Sequence, residues 1–222
     1  MPKRRILFTS HTANFHKFNR PLMRMLRGKL EAPYDDLNMG GWQVDYACAC
    51  EEKIYDADNV YTVDFSRSPV RLDKHLKAYH QLKKILAENH YDAIHTHTPV
   101  GSIITRLAAR SVRKKGTKVI YTSHGFHFYE GAPKKNWMMY FKAEKMAAKY
   151  TDLLITINHE DYKNAKKYFA CPVKMINGVG IDVTKFHKNT KKDDSIKTRK
   201  ELKLKADDFV VSYPAEFQPN KN

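Results

Sequence analysis

The side chains of this sequence best suited to chemistry are imidazoles, and several come in close pairs: His11 with His16, His95 with His97, and His124 with His127. An imidazole can exchange a proton near neutral pH, give or accept a hydrogen bond, or ligate a metal. Spacing separates these uses. His95 and His97 stand two apart in a run, residues 91–99, that ends at Pro99, so on a strand they share one face while Thr96 and Thr98 take the other. A pair of this kind can bind zinc, but a site needs a third or fourth ligand and nothing nearby in the sequence supplies one. No metal is expected. His124 follows Val119, Ile120, Tyr121 and Thr122, where a strand gives way to Ser123, the imidazole and Gly125. Two readings are open there: a histidine delivered to a binding crevice, or a buried, hydrogen-bonded core histidine. Gly125 lets the backbone turn tightly or approach a ligand closely, and His127 follows among Phe126, Phe128 and Tyr129.

The elements that must position these groups alternate along the chain. Strands are expected at 5–10, 42–49, 59–63, 91–99, 118–122, 152–157 and 173–176, and helices at 20–27, 70–89, 101–113, 134–150 and 159–169. In the helix at 70–89, Leu72, Leu76, Tyr79, Leu82 and Leu86 recur at spacings of three and four and so share one face. Alternating strands and helices with short links predict an α/β fold, a doubly wound parallel sheet with helices on both faces. Loops at the carboxyl ends of such strands open into the crevice where these sheets bind ligands. The loop after the first strand, residues 11–16, has no glycine and is not a dinucleotide cradle. Residues 28–41 form a loop longer than most, to which no role is assigned. Beyond a first domain at 1–183, residues 184–208 read as a lysine-rich linker. The apolar run 209–213 then reads as a fresh buried strand, so that 209–222 would be the start of a second domain cut off after its first strand.

Composition narrows the class. Of 222 residues 42% are apolar, with nine Gly and nine Pro, which fits a folded protein rather than a low-complexity one. No apolar run approaches the ~20 residues that cross a bilayer, and the N-terminus lacks a signal-peptide core, so a cytosolic location is expected. Cys48, Cys50 and Cys171 form neither a disulfide framework nor a metal-binding spacing and are expected to be reduced. A formal net charge of +16 attracts polyanions, nucleic acids and anionic lipids among them. The sequence has no zinc-finger spacing, RNA-recognition aromatics or arginine-rich arm, so no nucleic-acid partner is expected.

Three ordered motifs then agree: residues 95–101 (His-Thr-His-Thr-Pro-Val-Gly), residues 121–129 around His124, and residues 177–182 (Asn-Gly-Val-Gly-Ile-Asp) with Phe186 after them. Together they resemble the N-terminal half of a family-four retaining glycosyltransferase of the GT-B fold, of the type that builds bacterial capsular and extracellular polysaccharide. The resemblance implies a nucleotide-sugar donor held mainly by a C-terminal domain, an acceptor held by the N-terminal one, and no cofactor. It implies that His124 is the catalytic-cleft histidine reaching the donor sugar, and that Ser10, His11, Gly125, Asn177, Gly178 and Lys221 face the donor, Lys221 near its diphosphate. Phe15, His16, His97, Thr98 and His127 would line the acceptor side or the cleft. Many relatives carry glycines after the first strand where this chain has Ser10, His11, Thr12 and Ala13.

The helix at 134–150 adds a reading of its own. At ~100° per residue Lys134, Lys135, Lys142, Lys145 and Lys149 fall within an arc of about 100°, with Met139, Tyr140, Ala143 and Ala147 over much of the other side. Flanked by Trp137 and Phe141, this stripe could rest on an anionic membrane surface, the inner face of the cytoplasmic membrane, and hold the diphosphate of a lipid-linked saccharide acceptor. An ordinary solvated helix face is the other reading. For the whole chain the enzyme reading competes with a binding module that docks a separate donor-binding partner, and with a basic nucleic-acid-binding protein.

Overall fold

Ile6, Leu7 and Phe8 make the unbroken apolar run that a strand covered on both faces requires. In the computed structural model, which describes residues 3–49, 54–180, 192–205 and 207–211, they lie in β1 (Arg4–Thr9), with Leu7 and Phe8 wholly buried. Six further strands join it: β2 (Trp42–Cys48), β3 (Asn59–Thr62), β4 (Ala93–His97), β5 (Lys118–Ser123), β6 (Leu153–Thr156) and β7 (Val173–Met175). They form one seven-stranded sheet in the order β3-β2-β1-β4-β5-β6-β7, and every pairing is parallel. The order reverses between β1 and β4, so the loops leaving those two strands part there and open a crevice.

Alternation along β1 sorts the core. Ile6 and Phe8 face α1 (His16–Arg27), packing with Met23, Leu26, Val44 and Tyr46, while Leu7 faces the opposite layer with Leu82, Ile94, Ile104 and Val119. That opposite layer is built by α2 (Leu72–Glu88) and α3 (Pro99–Ala108), which is followed by the short α4 (Arg110–Arg113). Helices therefore cover both faces, as a doubly wound sheet demands. A third apolar cluster joins Tyr121, Phe126 and Phe128 to Phe169 and Ala165 of α7 (His159–Tyr168).

Several elements differ in detail from the sequence expectation. Helix α1 starts at His16 rather than residue 20 and carries Pro21 inside it, which forfeits one backbone hydrogen bond without ending the helix. On α2 the buried face is Ala78, Leu82, Ile85 and Leu86, whereas Leu72 and Leu76 are exposed. That face is rotated by about 70° from the expected stripe, because the small Ala78 and not the first-turn leucines sits against the core. The expected helix at 101–113 starts earlier, at Pro99, whose fixed φ and missing N–H suit a first turn, and breaks at Ala109. Consequently β4 ends at His97, and Thr98 is not a strand residue but a helix cap with φ of 67°.

The expected helix at 134–150 is likewise not continuous. It runs as α5 (Lys134–Asn136), a π-helical turn (Trp137–Phe141) and α6 (Lys142–Ala148). The wider turn sets the rings of Trp137 and Phe141 each 5.4 Å from that of Phe128. A uniform ~100° step therefore fails across it, and Met139, expected on the inner side, is exposed.

Residues 1–179 form one compact unit and 180–222 a second. In the second, α8 (Lys192–Glu201) is closed by Arg199, which donates to the carbonyls of Lys205 and Asp208. The strand expected at 209–213 is not formed at Phe209–Val211, where Phe209 is 93% exposed, since no neighbouring strand among the described residues offers it a ladder. Cys50, Asp182, Phe186 and Lys221 lie outside the described residues.

Candidate functional site at the carboxyl edge of the sheet

Strand parity brings the histidines together. In β4 the odd residues His95 and His97 face the α1 side, their rings 4.4 Å apart, while Thr96 turns the other way to bond Thr9 at 2.7 Å. β5 is registered with His97 opposite Thr122, so Ile120, Thr122 and then His124 fall on the same side as the two histidines. His95 Nε2 lies 2.8 Å from Thr122 Oγ1, and His97 Nδ1 lies 3.0 Å from His124 Nε2. Phe15, from the loop after β1, sets its ring edge-on to His124 at 5.1 Å, and Phe18 approaches it at 5.7 Å. The row thus runs from the interior outwards, and only its last member, His124, is half-exposed.

Burial holds these imidazoles neutral. It lowers His95 to about 3, with the neighbouring His124 adding to the effect, and lowers His97 well below its ordinary value. His124 is lowered by burial alone, and His11 falls to about 4 through burial and the adjacent Arg67. A neutral pair needs one donor and one acceptor. His97 Nε2 is buried without a partner. An orphaned lone pair costs less than an orphaned N–H, which favours a proton on His97 Nδ1 donated to His124 Nε2 and leaves His124 with an Nδ1–H to offer.

The pH dependence follows in sign. The unfolded chain protonates His95 and His11 near pH 6.5, the folded chain only near pH 3 and 4 respectively, so their stabilisation is complete above 6.5 and is lost as pH falls towards those values; His97 and His124, also lowered, contribute with the same sign. Urea unfolding at pH 5 is expected to show stability lower than at pH 7 by about 2 kcal/mol from His95 alone, with the difference shrinking in His95→Asn. A flat profile between those values would contradict the burial of neutral imidazoles.

The remaining expected site residues separate into groups. Ser10 is buried and used internally, bonding the Thr12 carbonyl and the Tyr46 hydroxyl, each at 2.7 Å. His16 caps its own turn, its Nδ1 lying 2.8 Å from the Ala13 carbonyl. His11 accepts a hydrogen bond from Arg67 Nε, and His127 packs on Tyr140 at 4.6 Å. His11, Phe15, Thr98 and His127 line a common cavity. Gly125, at φ of 129°, holds a conformation other residues adopt only under strain, and Asp161 accepts from the next amide, that of Phe126, at 3.0 Å. Asn177 and Gly178 follow β7, three strands from β4 or roughly 14 Å along the sheet, and are not part of the histidine row. Among the described residues no group of three or more His, Cys, Asp or Glu is arranged to hold a metal ion. Arg67 and Tyr140 were not singled out in the sequence. The only available signal was that Arg67 lies in the loop leaving a parallel strand's carboxyl end.

A family model described as glycosyl transferase 4-like matches residues 5–158, which include the whole histidine row. The chain belongs to that family. It is 42% identical over 184 residues to a protein named as glycosyltransferase EpsD in Bacillus subtilis (strain 168), covering 82% of this chain and 48% of that one. It is 33% identical over 155 residues to the Escherichia coli UDP-Gal:alpha-D-GlcNAc-diphosphoundecaprenol alpha-1,3-galactosyltransferase, covering 69% of this chain and 39% of that one. The chain therefore spans less than half the length of either relative. Its fold is shared at 16% identity and a TM-score of 0.58 with a sucrose-phosphate synthase from Thermosynechococcus elongatus, over 92% of this chain and 53% of that one. A UDP-GlcNAc 2-epimerase from Neisseria meningitidis matches at 14% identity and a TM-score of 0.57, over 90% of this chain and 53% of that one. The Rossmann-like α/β sheet of GT-B glycosyltransferases is thus the fold of residues 1–179.

On the α5–α6 surface Lys134, Lys135, Lys142, Lys145 and Lys149 are all exposed. Trp137 turns inward, its Nε1–H donating to the Tyr129 carbonyl at 3.2 Å, and the apolar residues left among the lysines are Met138, Met139 and Met146. Among the described residues no helix is long and apolar enough to cross a membrane.

Proposed function

We propose that this chain is the acceptor-side portion of a retaining glycosyltransferase that moves a sugar from a nucleotide-sugar to a lipid-linked saccharide in polysaccharide biosynthesis, at the inner face of the cytoplasmic membrane. The observation that carries the proposal is the half-exposed His124, held neutral and oriented by His97 at the switch point of a family-matched sheet. The name of the Escherichia coli relative supports a diphosphoprenol-linked acceptor. His124 offers an N–H to an oxygen of the donor sugar, and a donor fixed before reaction stabilises charge developing there without reorganisation cost. The phenylalanines beside it exclude water from that contact.

Residues 1–222, fused to the part of the Bacillus subtilis relative lying beyond the match, are expected to extend a prenyl-diphosphate-linked saccharide by one sugar. A fusion that binds a nucleotide-sugar and the acceptor without extending it would count against the proposal.

Contact with the membrane belongs to the α5–α6 surface, where exposed lysines supply attraction to anionic headgroups and exposed methionines supply apolar area. Each lysine near such a surface contributes ~1 kcal/mol. Changing Lys135, Lys142 and Lys149 together to Glu should abolish sedimentation with vesicles rich in anionic lipid. Binding that survives the triple change would make this an ordinary solvated face.

A further inference from the structure

Asp161 is a buried acid that the transfer chemistry does not touch. It is 3% exposed and stands in the first turn of α7, three residues after the capping Asn158. An acid at that position ordinarily reaches back to its own cap and meets the helix dipole in water. Here the Asp161 amide donates to Asn158 Oδ1 at 2.8 Å, while the carboxylate turns away from solvent. Its Oδ2 accepts from Asn158 Nδ2 and from the Phe126 amide, each at 3.0 Å. Phe126 is 35 residues away in the chain and two residues beyond His124. Burial raises the pKa of the Asp161 carboxyl, and the hydrogen bonds from Asn158 and Phe126 offset that only in part. The buried position therefore costs the helix something that an exposed capping acid would not.

The loop beyond β5 shows what that cost secures. Residues 124–130 belong to no helix or strand, so no ladder fixes the direction in which His124 leaves the sheet. The bond to His97 sets the imidazole ring and not the backbone beneath it. Gly125, next along, is the most permissive residue available, and its amide reaches Ser123 Oγ only at 3.4 Å. The Phe126 amide is then held by Asp161, and its ring is buried against Phe128 and Phe169. Other ties fall further on: Asn136 Nδ2 donates to the His127 carbonyl at 2.9 Å, and Glu160 accepts from the Glu130 amide at 2.6 Å. We propose that Asp161 is a positioning residue for His124. By holding the Phe126 amide it fixes the backbone at Gly125, and so the place from which the imidazole meets the donor sugar. The proposal rests on the transfer reading above for the use of His124, and on the hydrogen bonds alone for the hold that Asp161 has on it.

Histidine ring signals in ¹H–¹⁵N NMR of the 222-residue chain test the hold, and kinetics of the fused enzyme test its use. His124 should show a single neutral tautomer in the unaltered chain and a mixture in Asp161→Ala, with the amides of residues 124–128 exchanging about tenfold faster with solvent. Asp161→Asn, which keeps an oxygen for the Phe126 amide, should fall between the two. In the fusion, kcat is expected to drop about 10- to 100-fold in Asp161→Ala, the loss that a misplacement of ~1 Å brings. Added to His124→Ala, the same change should cost nothing more, because a residue that acts through the imidazole has no effect once the imidazole is gone. A merely structural aspartate would lower kcat by the same factor in both backgrounds, and that result would overturn the proposal. So would His124 ring signals unchanged in both Asp161 variants. Should His124→Ala alone leave kcat unchanged, the transfer reading falls, and the tautomer measurement still decides whether Asp161 holds the ring. If Asp161→Ala folds poorly, as judged by its NMR dispersion, Asp161→Asn carries both comparisons.

Discussion

Turnover by the fused enzyme is expected to fall about 10²–10³-fold in His124→Ala, the usual loss when one preorganised donor to a developing charge is removed. Folding should suffer far less. His124 is half-exposed, and its removal strands only the Nδ1 of His97, a cost of about 1–2 kcal/mol. Turnover and stability therefore separate for this residue, and paired measurement of kcat and urea midpoint reads the difference. His97→Ala should be intermediate in turnover, since it leaves His124 in place without the partner that orients it. Unchanged kcat in a folded His124→Ala enzyme would remove the histidine from the reaction.

Arg106→Ala should have the largest effect on stability, about 3–5 kcal/mol. Arg106 is 1% exposed and bonds Glu144 at 2.7 Å and the Ser102 hydroxyl at 2.9 Å, with Tyr121 stacked beneath its guanidinium at 4.2 Å. Its partner Glu144, 2% exposed, also accepts from the Tyr121 hydroxyl at 3.2 Å. Truncating the arginine leaves a buried carboxylate that must either remain charged without a cation or take up a proton. This pair ties α3, whose first turn borders the cavity, to α6, which carries the exposed Lys142 and Lys145. Replacing both members, as Arg106→Met with Glu144→Leu, should recover most of the loss because no charge is then left unpaired. A loss under 1 kcal/mol for the single variant, measured by urea unfolding, would show that the pair is not desolvated as described.

Period-two and period-three-to-four patterns were enough to read every strand of the sheet and most helices from the sequence, because parallel strands buried on both faces leave long apolar runs. His95 and His97 were readable as one face because side chains two apart on a strand point the same way. Their meeting with His124 was not, since it depends on register between β4 and β5, which is set by how the crossover helix packs and not by local pattern. The rotation of α2 away from Leu72 and Leu76 has a similar origin: periodicity finds a stripe, but close packing of Ala78 decides which part of it turns inward. Neither the π turn at Trp137–Phe141 nor Arg67 had a local signal, one arising from ring packing on Phe128 and the other from a loop carried across the crevice. Phe209–Val211 shows the reverse, a strong strand pattern that forms no strand where the described residues supply no neighbour.

The division of labour between acceptor side and donor side is the central claim, and calorimetry on the 222-residue chain tests it most directly. Retaining transfer requires the donor's leaving diphosphate to be stabilised and its anomeric carbon held against the acceptor, and in the proposed function this chain supplies the acceptor half of that geometry. A short-chain prenyl-diphosphate-linked GlcNAc is expected to bind saturably, and UDP- and GDP-sugars to show no saturable binding below millimolar concentration. Micromolar binding of a nucleotide-sugar, with the lipid-linked saccharide ignored, would contradict it.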